Sequence, residues 1–139
     1  MKLFLDANVI FTAAYSAQGL SRGLFRLAAA GKCSLCTSAF AHEESVRNMQ
    51  KKAPDKLADL TMLIQQVEIF PEPHPQWIIR AERLPLAGKD APVLAAALQG
   101  KVDIFVTGDR CDFGHLFGQV LEGVKILTPA DALDVVTLL

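Results

Sequence analysis

Val102-Asp103-Ile104-Phe105-Val106-Thr107-Gly108-Asp109 is the stretch that decides the fold. Its β-branched and aromatic residues read as a buried strand from Val102 to Thr107. Gly108 then opens a polar turn that extends to Phe113. Upstream, Asp90 to Leu98 reads as a helix, and Gly100 ends it. Downstream, Gly123 precedes a second apolar strand, Val124 to Leu127. Thr128-Pro129 then reads as a helix start, with a threonine cap and proline at the first helical position. The apolar run from Ala130 to Leu139 packs back on the body.

The same alternation extends towards the N-terminus. Lys2 to Leu5 is a short strand that meets Asp6. Val9 to Phe11 begins a helix or continues an irregular turn, and Ala14 to Gly19 reads as a loop. Leu20 to Ala30 has apolar residues at helical spacing, with Gly31 as its stop. Cys33 to Thr37 is a strand, and Ser38 is the N-cap of a helix running to about Lys52. Ala53-Pro54 breaks the pattern before a helix over Asp55 to Gln66 and a brief strand over Val67 to Phe70. Pro71, Pro73 and Pro75 mark a connector too short to separate domains. Gln76 to Arg83 is a short helix and Leu84 to Gly88 a loop. Strands alternating with helices predict a three-layer α/β fold, one domain over residues 1–139, with a mainly parallel central sheet.

The 139 residues are 51% hydrophobic and 21% charged, which describes a folded globular chain rather than a disordered one. A formal net charge of -1 excludes a strongly basic nucleic-acid coat but not a local basic rim beside an acidic site. Three cysteines form no disulfide framework. Cys33 and Cys36 have CxxC spacing, but strand alternation puts them on opposite faces, so they read as packing thiols. No signal peptide is apparent: Met1-Lys2 leads into an apolar run that Asp6 interrupts. No run approaches the ~20 apolar residues of a membrane span. A cytoplasmic protein without membrane contact is the expectation.

Acidic residues collect where a parallel sheet binds ligands, beyond the C-terminal ends of its strands. Asp6 ends the first strand, Asp109 follows the Val102–Thr107 strand, Asp90 opens the helix before it, and Glu43 and Glu44 lie early in the helix after the second strand. Asp90 taken alone reads as a helix cap, and first-turn acids often only complement the helix dipole. Taken together, like charges raise one another's pKa unless a cation compensates. Oxygen ligands with little histidine favour Mg²⁺ or Mn²⁺. His42, His74 and His115 read as structural or surface residues.

Four motifs, in order, resemble the PIN-domain (PilT N-terminal) family of nucleases. They are Leu5-Asp6-Ala7-Asn8-Val9, the helix from Ser38 to Met49, Lys89-Asp90-Ala91-Pro92-Val93-Leu94-Ala95-Ala96-Ala97, and Val106-Thr107-Gly108-Asp109. Each is weak alone; the ordered set covers nearly the whole chain. The resemblance implies Asp6, Asp90 and Asp109 as catalytic, metal-holding aspartates. It implies one glutamate as their partner: Glu44 matches the family's continuation better, with Glu43 as the alternate. On a helix these two point about 100° apart, so one faces the site and the other elsewhere. Asp112, ahead of Phe113 and one residue further on than in many members, is implied as an accessory ligand or the support of one. Asn8 and Thr107 match polar supports. Ser38 matches another, though capping is its simpler role.

The resemblance implies a Mg²⁺- or Mn²⁺-dependent endoribonuclease that hydrolyses RNA to a 5′ phosphate and a 3′ hydroxyl. It also implies a homodimer, and the toxin of a toxin–antitoxin pair neutralised by a small antitoxin protein. Arg110 is the best candidate for substrate phosphate contact. Arg47, Lys51, Lys52 and Lys89 are basic candidates whose ordinary reading is solvated surface. The alternative is a catalytically weak PIN-like module that binds nucleic acid or protein. A receiver domain would need a second acid beside Asp6 and a central phosphoacceptor aspartate. A dehalogenase-type phosphatase would need aspartate where Asn8 stands.

Overall fold

The computed structural model describes residues 1–86 and 88–139; Ala87, inside the loop expected over Leu84 to Gly88, lies outside the described residues. Strand β1 (Lys2–Leu5) has Leu3 and Leu5 on one face and Phe4 on the other, all three fully buried. A strand buried on both sides belongs at the middle of a covered sheet. Helix α1 (Ala7–Tyr15) follows at once, with the Asp6 carboxylate accepting from the Ala7 amide, and α2 (Leu20–Ala29) comes next. Strand β2 (Ser34–Ser38) runs into α3 (Ala39–Lys52), where the Ser38 hydroxyl caps the first turn by accepting from the Ala41 amide. Then come α4 (Leu57–Ile64), β3 (Val67–Phe70), α5 (Pro75–Glu82) and α6 (Ala91–Gln99). Strand β4 (Ile104–Val106), α7 (Arg110–Phe113), β5 (Val120–Leu121), β6 (Val124–Leu127) and α8 (Pro129–Thr137) complete the chain.

The six strands lie in the order β3-β2-β1-β4-β6-β5, parallel except for the last pair. Leu3 stands opposite both Leu35 of β2 and Ile104 of β4, so β1 is flanked on each side. One face of the sheet packs a mainly aliphatic core, with Phe25 in it, against α1, α2, α3, α4 and α8. The other packs Phe4, Phe105 and Phe113 in a row, with ring centroids 5.4 and 5.2 Å apart, beneath α5 and the alanine-rich α6. Gly100, at the end of α6, lets that helix approach the sheet edge; a Cβ there would overlap the Phe70 ring. Cys33 packs on the first core and Cys36 lies in the second, as alternation predicts. The protein is thus an α/β chain with a mixed, mainly parallel sheet between helical layers. Among the described residues no helix is long and apolar enough to cross a membrane.

Several local expectations need correction. The segment after Asp6 is a helix, and it continues through Ala14 and Tyr15, both expected to be loop. The helix expected over Asp55 to Gln66 divides into a single 3₁₀ turn, Pro54–Lys56, and α4, because Pro54 sets the first turn. The decisive strand is shorter than its apolar run: Lys101 takes a left-handed φ of 52°, and Asp103 accepts the Lys2 amide through its side chain. The polar turn after it contains helix α7. The two-residue strand β5, hairpinned to β6, has too short a pattern to be read in advance.

Candidate active site

The chain leaves β1 at Asp6 and β4 at Thr107, side by side at the C-terminal ends of the two central strands. Asp6 is buried, and each of its oxygens is engaged. Oδ1 accepts from the Ala7 amide at 2.8 Å; Oδ2 accepts from the Thr107 hydroxyl at 2.9 Å and from Asn8 Nδ2 at 3.1 Å. Thr107 Oγ1 also accepts from the Asp109 amide at 3.1 Å and lies 3.3 Å from Asn8 Nδ2. Asn8 Oδ1 accepts from the Gly108 amide at 2.7 Å. One hydroxyl and one amide therefore tie two chain segments, a hundred residues apart in sequence, to a single carboxylate. Burial pushes the Asp6 carboxyl up to about 6; the bonds from Thr107 and Ala7 pull it down, and the charges of Glu44 and Asp109 push it further up.

Asp90, Asp109 and Asp112 form the second group, with one oxygen from each within 4.8 Å of the others. Asp109 caps α7, its Oδ1 accepting from the Asp112 amide at 3.0 Å. Asp90 occupies the cap position of α6 without capping it, which corrects the plain reading of that residue. Its Oδ2 is instead buried with no hydrogen-bond partner among the described residues. Burial, followed by the negative charge of Asp112, raises the Asp90 carboxyl to about 6. Asp112 is held below the usual range by Lys89, whose Nζ is 3.1 Å from its Oδ2.

Asp6, Glu44, Asp90, Asp109 and Asp112 all line one cleft of about 280 Å³, joined by Asn8, Asn48 and Lys89. Glu44 is half-buried there, whereas Glu43 is exposed and lies outside the lining, as the angular separation on α3 requires. Ser38 caps α3 and makes no bond to an acid of the cleft. Arg110 lines a neighbouring pocket rather than this one, and Arg47, Lys51 and Lys52 line neither. Sequence reasoning missed Phe40 and Asn48 as lining residues. Their signal was present: Phe40, Glu44 and Asn48 stand four apart on one face of α3.

The donor set fits a hard divalent cation. It offers carboxylate oxygens, and opposite ligands of Mg²⁺ stand about 4.2 Å apart. The buried Asp90 oxygen has no hydrogen-bond donor among the described residues, and the charge of Lys89 offsets the surrounding acids only in part. A proton on Asp90 is the internal remedy; a cation shared by the three aspartates is the other. The acidic triad is thus able to coordinate a divalent ion, the arrangement expected of a metal-dependent nuclease-like site.

Comparisons with known proteins bear on the fold and the family. No curated protein matches the chain significantly. Among solved structures, VapBC2 from Rickettsia felis, bound to a promoter DNA fragment, is similar at 14% identity. The match covers 92% of this chain and 98% of that one, with a TM-score of 0.66. A protein from Pyrobaculum aerophilum is similar at 17% identity over 100% of this chain and 91% of that one, TM-score 0.67. A toxin–antitoxin complex from Klebsiella pneumoniae is similar at 18% identity over 91% and 97%, TM-score 0.59. At these identities the likeness speaks for the fold. The PIN domain family model matches residues 2–111, a span that holds Asp6, Glu44, Asp90 and Asp109 and stops one residue short of Asp112. With four-fifths of its length matched by that model, the chain belongs to the PIN domain family.

Proposed function

We propose that this protein is a Mg²⁺- or Mn²⁺-dependent endoribonuclease whose catalytic residues are Asp6, Glu44, Asp90 and Asp109, with Asp112 as a further ligand. The observation that carries the proposal is five carboxylates lining one cleft, with a buried Asp90 oxygen left without a partner among the described residues. Asp90, Asp109 and Asp112 hold the ion. Asp6, fixed by Thr107 and Asn8, and Glu44, presented from α3, complete the acidic ring. When bound, a divalent ion neutralises the phosphodiester and activates water. Hydrolysis breaks the bond from phosphorus to the 3′ oxygen, leaving a 5′ phosphate and a 3′ hydroxyl. No serine, cysteine or histidine lines the cleft among the described residues, so no covalent enzyme intermediate is invoked. The choice of RNA rests on family membership.

The test is cleavage of single-stranded RNA by purified protein with Mn²⁺. Wild type cuts, and Asp6→Asn loses at least about a hundredfold in rate. Wild type and Asp6→Asn equally inert across several RNAs would favour a binding module instead. A second reading makes the chain the toxin of a toxin–antitoxin pair, since a structure similar to it is a toxin–antitoxin complex. In that case expression arrests growth, and co-expression of a small protein encoded beside it restores growth. Failure of both effects leaves a free-standing RNA-processing enzyme.

A further inference from the structure

A second pocket, of about 570 Å³, adjoins the acid cleft and shares two walls with it, Asn8 and Asp109. Its volume lies within the roughly 300–1,000 Å³ usual for small-ligand sites. The chemistry of the two differs sharply. The acid cleft contains carboxylates and Lys89; among the described residues the second pocket contains no acid except the shared Asp109, and it contains Arg110. Three of its hydroxyls are already engaged inside the protein. Thr12 and Ser21 bond one another at 2.8 Å, and Thr128 accepts the Asp131 amide at 3.2 Å. What remains for a ligand is the Ser16 hydroxyl and an apolar surface of Leu20, Pro129 and Ala130, with Arg110 in the same lining. Leu20 is 59% exposed there.

An apolar surface next to a cation suits a nucleoside joined to a phosphate: the base lies on the apolar groups and the phosphate meets the arginine. The shared walls place such a group one step along a strand whose scissile phosphate lies in the acid cleft. Asn8 is suited to divide the two, because bonds to Asp6, Thr107 and Gly108 lock its side chain. We infer that this pocket is a nucleotide subsite, holding the nucleotide that flanks the scissile phosphate of a single-stranded RNA, with Arg110 on that nucleotide's phosphate. The inference rests on the ribonuclease reading for the strand's placement. It explains why the arginine next to Asp109 in sequence lines the neighbouring pocket and not the acids.

Two exposed positions test it. Ala130→Trp fills the pocket, and Leu20→Glu sets a carboxylate in it; the two changes are chemically unlike, and thermal melting checks that both variants fold. Binding of a fluorescein-labelled single-stranded RNA is measured by anisotropy in Mg²⁺, in an Asp6→Asn background that prevents cleavage. Each substitution is expected to weaken binding about tenfold. In the otherwise wild-type enzyme, kcat/KM for RNA is expected to fall by the same factor relative to that for bis(para-nitrophenyl) phosphate, which has no flanking nucleotide. RNA affinity equal to that of the parent in both variants overturns the subsite, and leaves the ribonuclease reading standing if wild type still cuts. Weakened binding with a wild type that cuts no RNA overturns the ribonuclease reading and, with no scissile phosphate to flank, the placement of the subsite, leaving a pocket that binds RNA only. Absence of any RNA binding removes both.

Discussion

The two halves of the acid cleft are built in opposite ways. On the β1 side, Asp6 is saturated: an amide, a hydroxyl and a side-chain amide occupy its two oxygens. On the α6–α7 side, Asp90 keeps a buried oxygen with no partner among the described residues, and its neighbour Asp112 draws in the flexible Lys89. The first half is complete as the polypeptide makes it. The second carries negative charge that Lys89 compensates only in part, which is costly in a partly buried place. A site can thus divide its labour, with one carboxylate held rigid for geometry and others held in need of a cation for affinity.

The sharpest way to break this contrast is Asp90→Asn. Removing the needy charge should lower Mn²⁺ affinity about 10- to 100-fold. It should also raise the melting temperature of the metal-free protein at neutral pH. Thermal melting with and without Mn²⁺ reads both effects, and an unchanged Mn²⁺-induced shift would count against the triad as the ion's seat. Thr107→Val attacks the other half. It removes the hydroxyl that serves Asp6, Asn8 and the Asp109 amide, and should cost about 1–3 kcal/mol in urea unfolding whether or not metal is present. A loss seen only with metal would show that the first half, too, is organised by the ion.

The smallest expected effect is in pH. Asp6 and Asp90 both have carboxyl values near 6, raised from the ordinary 3.8. A raised value means the fold holds the proton more tightly than the unfolded chain does. Their contribution to stability is therefore fully present below about pH 4 and is lost as pH rises through about 6. Metal-free wild type should lose melting temperature over that interval more steeply than Asp90→Asn. Equal slopes would mean that Asp90 is not strained by its surroundings.

Much of this was legible in the residues because it is local. Ser38 before α3, and Thr128-Pro129 before α8, are caps that act within four residues, and both form as read. Strands β3 and β6 match their predicted bounds because turn residues punctuate them. The sequence order of Asp6, Asp90 and Asp109 was legible as well. The illegible part depends on distant partners. Asp90 looks like any helix-capping aspartate until Asp112 and Lys89 are set beside it. Thr107 reads by resemblance as a polar support, but which groups its hydroxyl serves is settled only when β4 lies against β1. Arg110 is adjacent to Asp109 in the chain, yet the first turn of α7 carries it to the other pocket, and a short helix inside a polar segment gives no periodic signal.

The pairing of β1 with β4 also has a consequence in time. Leu3 lies against Ile104, so the centre of the sheet joins residues about a hundred positions apart. Contacts of that separation form slowly, since a long loop must close before any of them stabilises the chain. During synthesis, Asp6 is made about a hundred residues before Thr107 and has no hydroxyl to hold it until β4 has docked. Assembly of the acid cleft is thereby deferred to a late stage of folding, after the strands that carry its two sides have met.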